Sequence, residues 1–285
     1  MIASIILAAG KGTRMKSKIP KVLHKVAGRP LIWYVCDAAT QLNTAQNIVV
    51  VGYEAEQVKK HLGRDFQDIY QEEQLGTGHA VMLAKKAIDA KIQTVVVLCG
   101  DAPLLTVETL QMLLEHHAKR RAAVTVLSAF VPDSTGYGRI VRDENCGLKK
   151  IVEEKDASAQ EKTIKEINSG TYCFNKEQLF VALEEVNPEN KQAEYYLTDV
   201  IEILQKKQLG CEVVIAKNAS EVLGINNKAE LAEADRFLRQ RINSRLMLDG
   251  VTIIDPYVTY IDASVRVGRD TIIQPFCRIE GYTQI

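Results

Sequence analysis

The run Ile2–Ala8 is apolar except at Ser4 and leads directly into Ala9-Gly10-Lys11-Gly12-Thr13-Arg14-Met15, with Pro20-Lys21-Val22-Leu23 close behind. A strand without a polar face has to be covered on both sides, so it belongs inside a sheet flanked by helices. Where such a strand runs out into glycines and small residues, backbone N–H groups are left unpaired and open to ligand. With cations nearby, these groups cradle phosphate oxygens. Arg14 supplies a planar fork and Lys21 a mobile point charge. Two familiar phosphate loops do not fit. A dinucleotide fingerprint needs a third glycine where Met15 stands, and no Gly-Lys-Ser/Thr of a Walker loop is present. An ordinary glycine turn would not require Thr13, Arg14, Pro20 and Lys21 at this spacing.

Further along, the spacing predicts a helix over Leu31–Leu42, a strand over Asn47–Gly52, a helix over Glu54–Leu62 and a short strand from Asp68 to Tyr70. Thr94–Leu98 is another buried strand, and it stops at Cys99-Gly100-Asp101. Strands alternating with helices imply an α/β fold with a parallel sheet covered on both faces. In such sheets ligands sit beyond the carboxyl ends of the strands, where both the glycine loop and Asp101 would lie. The middle of the chain changes character. Val124–Val131, Arg139–Arg142, Lys150–Glu154 and Asn168–Phe174 alternate more, as strands of a mixed sheet do, and Lys176–Glu185 and Thr198–Lys207 read as helices. This second lobe is expected to fold onto the same core.

Lys228–Asp249 reads as a long charged helix with one packed stripe. Beyond it, Ile261, Val267, Ile273 and Ile279 recur every six residues, with Val265, Thr271, Cys277 and Thr283 four positions after each. Hexads of this kind stack as a left-handed parallel β-helix. The expected organisation is a phosphate-binding α/β domain over 1–227, a linker helix over 228–249, and the start of a hexapeptide-repeat β-helix over 250–285. Ile285 would open another hexad, so the chain is read as stopping inside that repeat region.

Composition excludes several classes. With 36 basic and 36 acidic residues the formal net charge is +0, which argues against nucleic acid as a partner. No apolar stretch approaches the roughly 20 residues of a membrane span, and no basic leader precedes the first apolar run. A soluble, cytoplasmic protein is expected. The six cysteines are scattered without a CxxC pair or a partnering His cluster, as free thiols in a reducing compartment would be. His116 and His117 point about 100° apart on one helix and do not suggest a metal site.

Leu7–Met15 with Pro20–Leu23 resembles the signature of the nucleoside-diphosphate-sugar pyrophosphorylases. Gln71–His79 (QEEQLGTGH), Gly136–Ile140 (GYGRI), Glu194–Asp199 (EYYLTD) and Gly224–Asn227 (GINN) are similar to the UDP-N-acetylglucosamine-forming branch. In that branch the pyrophosphorylase is the N-terminal half of a bifunctional enzyme that also acetylates glucosamine 1-phosphate. The resemblance covers the whole chain. It implies a Rossmann-like, glycosyltransferase-A-like mixed sheet that joins UTP to N-acetylglucosamine 1-phosphate, releasing pyrophosphate and UDP-N-acetylglucosamine. A homotrimer is implied when the repeat domain is complete, and acetyltransferase activity only in the full-length protein.

Such a reaction brings two highly anionic reactants together for in-line attack at the α-phosphorus, so neutralisation and alignment dominate and no protein nucleophile is needed. None is evident, since no Gly-x-Ser-x-Gly elbow occurs. The resemblance places Mg²⁺ on Asp101 and Asn226, an arrangement of hard oxygen donors that suits the ion. Arg14 and Lys21 would balance pyrophosphate and the α-phosphate. Leu7, Ala8, Ala9, Gly10, Gly12 and Thr13 would contact the nucleotide. Gln71, Gly76 and Thr77 would read the base; Cys99 and Gly100 adjoin Asp101; and Gly138, Glu153, Asn168, Tyr196 and Thr198 would hold the sugar. One departure is visible, because Cys99 stands where close members of the family carry tyrosine. If only its backbone meets substrate the change is harmless; otherwise nucleotide affinity is affected. Two rival readings are another nucleotide or sugar, such as dTTP with glucose 1-phosphate, and a catalytically inert nucleotide-sugar-binding subunit. The second predicts loss of Arg14, Lys21 or Asp101, and all three are present.

Overall fold

The computed structural model describes residues 1–285. In chain order, β1 (Ile2–Ala8) is followed by a small hairpin of β2 (Lys25–Val26) and β3 (Arg29–Pro30), then α1 (Leu31–Gln41), β4 (Gln46–Val51), α2 (Ala55–Lys59) and β5 (Phe66–Tyr70). Next come α3 (Thr77–Ala84), β6 (Thr94–Cys99), α4 (Val107–Arg120) and β7 (Val124–Phe130). The second lobe adds β8 (Arg139–Arg142), β9 (Leu148–Val152), β10 (Glu166–Asn175), α5 (Lys176–Leu183), α6 (Asp199–Lys206) and β11 (Cys211–Ile215). The long helix α7 (Lys228–Leu248) leads to four two-residue strands, β12 (Thr252–Ile253), β13 (Tyr260–Ile261), β14 (Ile272–Ile273) and β15 (Arg278–Ile279).

One mixed sheet organises this, in the order β11-β7-β10-β6-β1-β4-β5, with the β8–β9 hairpin attached through β10. β1 lies parallel between β4 and β6, and β10 runs antiparallel to both β6 and β7. The sheet is therefore parallel around β1 and mixed beyond β6. The apolar runs explain the centre. Alternate residues point to opposite faces, so Ile5, Val50 and Val97 enter one core with α3, α5 and α6, while Ile6, Val49 and Val96 enter the other with α1 and α4. Each such aliphatic side chain contributes about 1.5–3 kcal/mol on burial.

Sequence-based bounds differ from the structure chiefly at element ends. The expected Glu54–Leu62 helix is only Ala55–Lys59; at its start Glu54, at φ 51, is left-handed and stands outside it. Besides the β2–β3 hairpin, two elements have no forerunner in the sequence reading. One is α3, hidden in the glycine-rich QEEQLGTGH stretch. The other is β11, a half-exposed edge strand parallel to β7.

The stripe on α7 is Ala234, Leu238, Ile242 and Leu246, one turn apart, and it packs against Ile253, Ile261, Val265 and Ile273. The short strands pair in parallel at long offset. Thr252 meets Ile272, Tyr260 meets Arg278 eighteen residues on, and Arg266 meets Gln284 at the same interval. This segment is clasped to the body through the β2–β3 hairpin. Ala263 N–H donates to Ala27 O at 3.0 Å, Arg29 Nε donates to Ser264 Oγ at 2.6 Å, and the Arg29 guanidinium stacks on Trp33 and Tyr282. No helix is long and apolar enough to cross a membrane.

Candidate active site

The carboxyl ends of β1 and β6 open into a cleft of about 700 Å³. β1 delivers the glycine loop, whose shape depends on Gly12. At φ +59, a Cβ there would lie 2.5 Å from Lys21 Cβ, so only glycine lets the Lys21 side chain cross the loop. Met15, 1% exposed, pins the loop from below, and Val22 and Leu23 are buried just after Lys21. β6 delivers Asp101, whose carbonyl accepts from Ile225 N–H at 3.0 Å. That bond brings the Gly-Ile-Asn-Asn segment alongside.

Four side chains meet at this junction. Lys21 Nζ forms an ion pair with Asp101 and donates to Asn226 Oδ1 at 2.8 Å, and Arg14 Nη2 donates to the same oxygen at 2.8 Å. Asn226 is fixed from behind by Glu230, whose Oε2 accepts from Asn226 N–H at 2.7 Å and from Nδ2 at 3.3 Å. Glu230 also closes the N-terminus of α7, where Asn227 Oδ1 accepts from Glu230 N–H at 2.9 Å. The Asp101 carboxylate and the Asn226 amide oxygen thus converge on one cationic group, the Lys21 ammonium.

In the larger part of the cleft, Leu7, Ala8, Ala9, Gly10, Gly12, Thr13, Arg14, Lys21, Gln71, Gly76, Thr77, Cys99, Asp101 and Asn226 all lie on the wall. Gly76 is held at φ +108, where a Cβ would lie 2.6 Å from Tyr195 O. That close approach joins the QEEQLGTGH and EYYLTD segments. Tyr195 N–H donates to Leu75 O at 2.8 Å, and Gly78 N–H to Tyr195 O at 2.7 Å. The Thr77 hydroxyl accepts from Leu197 N–H at 3.1 Å, so its side chain is committed to the neighbouring segment.

A smaller recess of about 190 Å³ opens beside Arg14, Asp101 and Asn226 and is lined by Gly138, Glu153, Asn168 and Thr198. Burial pushes the Glu153 carboxyl above the usual range, against the opposing effect of its bond from Thr198 Oγ1 at 3.2 Å. Neighbouring Asp199 is raised to about 6, by burial first and then by Glu202 and Asp156. Asn168 Nδ2 donates to Tyr172 Oη at 2.6 Å, and its Oδ1 accepts from Gly170 N–H at 3.1 Å. The loop over the recess is latched. Arg139, 2% exposed, donates to Glu154 Oε2 at 2.7 Å, and Gly136 N–H donates to the same oxygen at 3.2 Å. Tyr137 Oη donates to Gly224 O at 3.4 Å, tying this loop to the Asn226 segment.

Two of the sequence-derived site residues line neither space. Gly100 lies behind the wall, with its N–H donated to Leu7 O at 2.9 Å. Tyr196 is buried, and its hydroxyl donates to Asp156 Oδ2 at 3.2 Å. Cys99 is on the wall of both spaces, and its thiol donates to Gly170 O at 3.4 Å. Burial, with Asp101 adding to it, pushes that thiol up to about 12, so it stays protonated and is no nucleophile at neutral pH. All six cysteines are free. His116 pairs with Glu212 at 3.0 Å, and buried His117 bonds Thr125 at 3.0 Å.

Several lining residues are not among the sequence-derived site residues. Lys11, Gln74 and Glu194 border the larger space, and Ser169, Gly170 and Tyr172 border the recess. The last three sit at a register shift in β10 between Asn168 and Tyr172, a bulge that turns the strand edge toward the cleft. Lys11, Gln74 and Glu194 fall inside motifs already singled out and could have been found there.

A nucleotide-sized, cation-bordered cleft at the carboxyl end of a mostly parallel sheet defines an α/β nucleotide-handling fold. Residues 3–224 match the nucleotidyl transferase family, and the chain belongs to it. It is 52% identical over 282 residues to the "Bifunctional protein GlmU" of Geobacillus sp. (strain WCH70), covering 99% of this chain and 61% of that relative. Against the "Bifunctional protein GlmU" of Bacillus subtilis (strain 168), identity is 47% over 281 residues, covering 99% of this chain and 62% of the relative. The chain thus spans less than two thirds of the curated relatives it matches. Among solved structures, a UDP-glucose pyrophosphorylase complexed with UDP-glucose shares the fold with TM-score 0.68 at 19% identity, covering 85% of this chain and 100% of that one. A putative glucose-1-phosphate thymidylyltransferase from Bacillus anthracis gives 0.66 at 19% identity, covering 83% and 95%.

Proposed function

We propose that this chain carries a uridylyltransferase that forms UDP-N-acetylglucosamine and pyrophosphate from UTP and N-acetylglucosamine 1-phosphate. The observation that carries the reading is the junction of Arg14, Lys21, Asp101 and Asn226 where the two spaces meet. A triphosphate in the larger space and a sugar phosphate in the smaller one would face each other across it. Phosphoryl-type transfer needs positioning and charge neutralisation more than covalent chemistry, and these residues provide both. Lys21 exchanges Asp101 for α-phosphate oxygens when the nucleotide enters. Arg14 faces the departing pyrophosphate, and Glu153 with Thr198 orients sugar hydroxyls.

The donor set fits Mg²⁺. One carboxylate and one amide oxygen already converge on a single cation, and no cluster of three or more His, Cys, Asp or Glu side chains is gathered elsewhere to compete. Asp101 and Asn226 would hold the ion, which takes its other oxygens from water and phosphate. When bound it supplies positive charge against the phosphates.

The similarity to GlmU proteins near 50% identity favours the UDP-N-acetylglucosamine reading over dTTP with glucose 1-phosphate, which is represented by fold likeness at 19% identity. The cations and carboxylate at the junction speak against an inert binding subunit. The deciding experiment is pyrophosphate release with UTP across a panel of sugar 1-phosphates. N-Acetylglucosamine 1-phosphate is expected to exceed glucose 1-phosphate by at least tenfold in kcat/KM, and equal rates would count against the assignment.

The reading extends to the organisation of the chain, with a catalytic domain over 1–227, a linker helix over 228–249 and a left-handed parallel β-helix over 250–285 in a cytoplasmic homotrimer. The eighteen-residue pairing interval, three hexads, supports the coil. Its outer face exposes Tyr257, Ile272, Phe276 and Tyr282 to solvent, and apolar patches of this kind are usually covered by partners. Light scattering should give a mass near three times the 31.7 kDa of one chain. A mass of one chain across micromolar concentrations would contradict association.

A further inference from the structure

We propose that the Tyr172 hydroxyl is a specificity-determining donor in the smaller recess, reading the carbonyl oxygen of an N-acyl substituent on the sugar. The inference rests on the uridylyl-transfer reading and extends it to how the sugar phosphate is chosen. Tyr172 stands in β10 at the end of the register shift, is 3% exposed, and borders the recess together with Glu153 and Asn168. Its ring packs in the core against Phe174, with centroids 5.5 Å apart, so the hydroxyl is held at a fixed point.

Backbone bonding decides where the hydroxyl proton goes. Gly170 N–H only donates, and it meets one end of the Asn168 amide at 3.1 Å, so that end is Oδ1. The other end is Nδ2, which lies 2.6 Å from Tyr172 Oη and has nothing but hydrogens to offer it. The tyrosine oxygen therefore accepts from Asn168, and its own proton points away from that bond. Nothing in the protein takes this proton. Burial, with Glu153 adding to it, pushes the hydroxyl well above the usual tyrosine range, so it stays an O–H donor at every working pH.

Neighbouring donors are already spent on the protein. Ser169 Oγ donates to Leu127 O at 2.6 Å, Thr198 Oγ1 to Glu153 Oε1 at 3.2 Å, Tyr137 Oη to Gly224 O at 3.4 Å and Cys99 Sγ to Gly170 O at 3.4 Å. Among the hydroxyls and the thiol of the recess wall, only Tyr172 and Thr77 keep an unassigned proton, and Thr77 also borders the larger space. A wall of this kind sorts ligands by what they can give and take. A sugar hydroxyl donates as well as accepts, so the Glu153 carboxyl satisfies it without Tyr172. An amide carbonyl oxygen only accepts, and in a closed recess it needs a donor. The N-acetyl group at carbon 2 presents such an oxygen. Glucose has a hydroxyl there, which ends two bonds short of it.

The test compares kcat/KM for N-acetylglucosamine 1-phosphate and glucose 1-phosphate, with UTP, in wild type and Tyr172→Phe. Phenylalanine keeps the ring in the core and removes the hydroxyl alone. The ratio is expected to fall about tenfold, the scale of one hydrogen bond, with the loss confined to the N-acetyl substrate. A structural role would slow both substrates alike. To separate direct contact from an effect relayed through Asn168, both proteins are also given N-thioacetylglucosamine 1-phosphate, whose sulfur is a weaker acceptor in nearly the same shape. Wild type is expected to prefer oxygen over sulfur about tenfold, and Tyr172→Phe about threefold or less. An unchanged sugar ratio overturns the inference, and so does an oxygen-over-sulfur preference equal in the two proteins. Should Tyr172→Phe not fold, Tyr172→Leu serves in its place with the same expected ratios. Wild-type protein that releases no pyrophosphate from UTP with any sugar phosphate would overturn the uridylyl-transfer reading itself, whereas an unchanged ratio in an active variant overturns the inference alone.

Discussion

Asp101→Ala is expected to lower kcat at saturating Mg²⁺ by a thousandfold or more, on the order of 4 kcal/mol of transition-state stabilisation. Its carboxylate is the one that pairs with a cation of the junction of Arg14, Lys21 and Asn226, at the mouth of a buried strand. Without it the Mg²⁺ proposed here keeps one neutral protein oxygen, and the reactants' charges are left to two side-chain cations. The fold should survive, because Lys21 retains Asn226 Oδ1 at 2.8 Å after the ion pair is gone. A partly exposed pair contributes about 1 kcal/mol or less, roughly 2 °C of Tm in a chain of this size. Asp101→Asn separates charge from shape, since it keeps an oxygen in place but carries no charge. It should be nearly as inactive as alanine. Both variants should also weaken Mn²⁺ binding in the presence of UTP, read by electron paramagnetic resonance independently of turnover. An Asp101→Ala protein retaining a tenth of wild-type kcat at saturating Mg²⁺ would remove Asp101 from the chemistry.

The legible part of the molecule was the part governed by local pattern. Ile2–Ala8, the IVVV run of β4 and the TVVVL run of β6 are apolar on both faces, so their burial at the sheet centre follows from composition alone. Once β1 and β6 are adjacent and parallel, the glycine loop and Asp101 must emerge side by side. The rest of the site depends on long-range closure. Arg14 and Asn226 share a hydrogen bond across 212 positions of sequence, and nothing local to either residue foretells it. The Ser169–Gly170 wall is equally silent, because a bulge is a register relation between two strands and belongs to neither alone. Tyr196 shows the reverse relation. Its motif singles it out, while the chain turns its hydroxyl to Asp156 and its neighbours Tyr195 and Leu197 hold the Leu75–Gly78 loop. β11 was missed because an edge strand with a half-exposed pattern carries little periodicity.

Arg14→Ala is expected to reduce kcat about a hundredfold, with only a modest change in KM for the sugar phosphate. The Arg14 guanidinium bonds Asn226 Oδ1 at 2.8 Å and is exposed to the cleft, so it can meet an incoming oxyanion without being dug out of the protein. In the proposed reaction, charge grows on the β-phosphate as its bond to the α-phosphorus breaks. An interaction that strengthens as that charge develops lowers the barrier, whereas one equal in both states changes KM alone. A charge-assisted arginine–phosphate pair in a partly dry site supplies on the order of 3 kcal/mol, which is the hundredfold expected. Collapse of the neighbouring loop would be a competing cause of lost rate. The structure argues against it, because Glu230 holds Asn226 through N–H and Nδ2 and Lys21 holds Oδ1, all without Arg14. Arg14→Lys should rescue poorly, since it restores the charge but not the fork that grips two phosphate oxygens. Steady-state kinetics in both substrates decide the matter. If Arg14→Ala raises only the KM for UTP and leaves kcat unchanged, Arg14 binds the ground state and transition state equally, and the neutralisation of departing pyrophosphate must be sought in Lys11 or Lys21, the other two cations on the cleft wall.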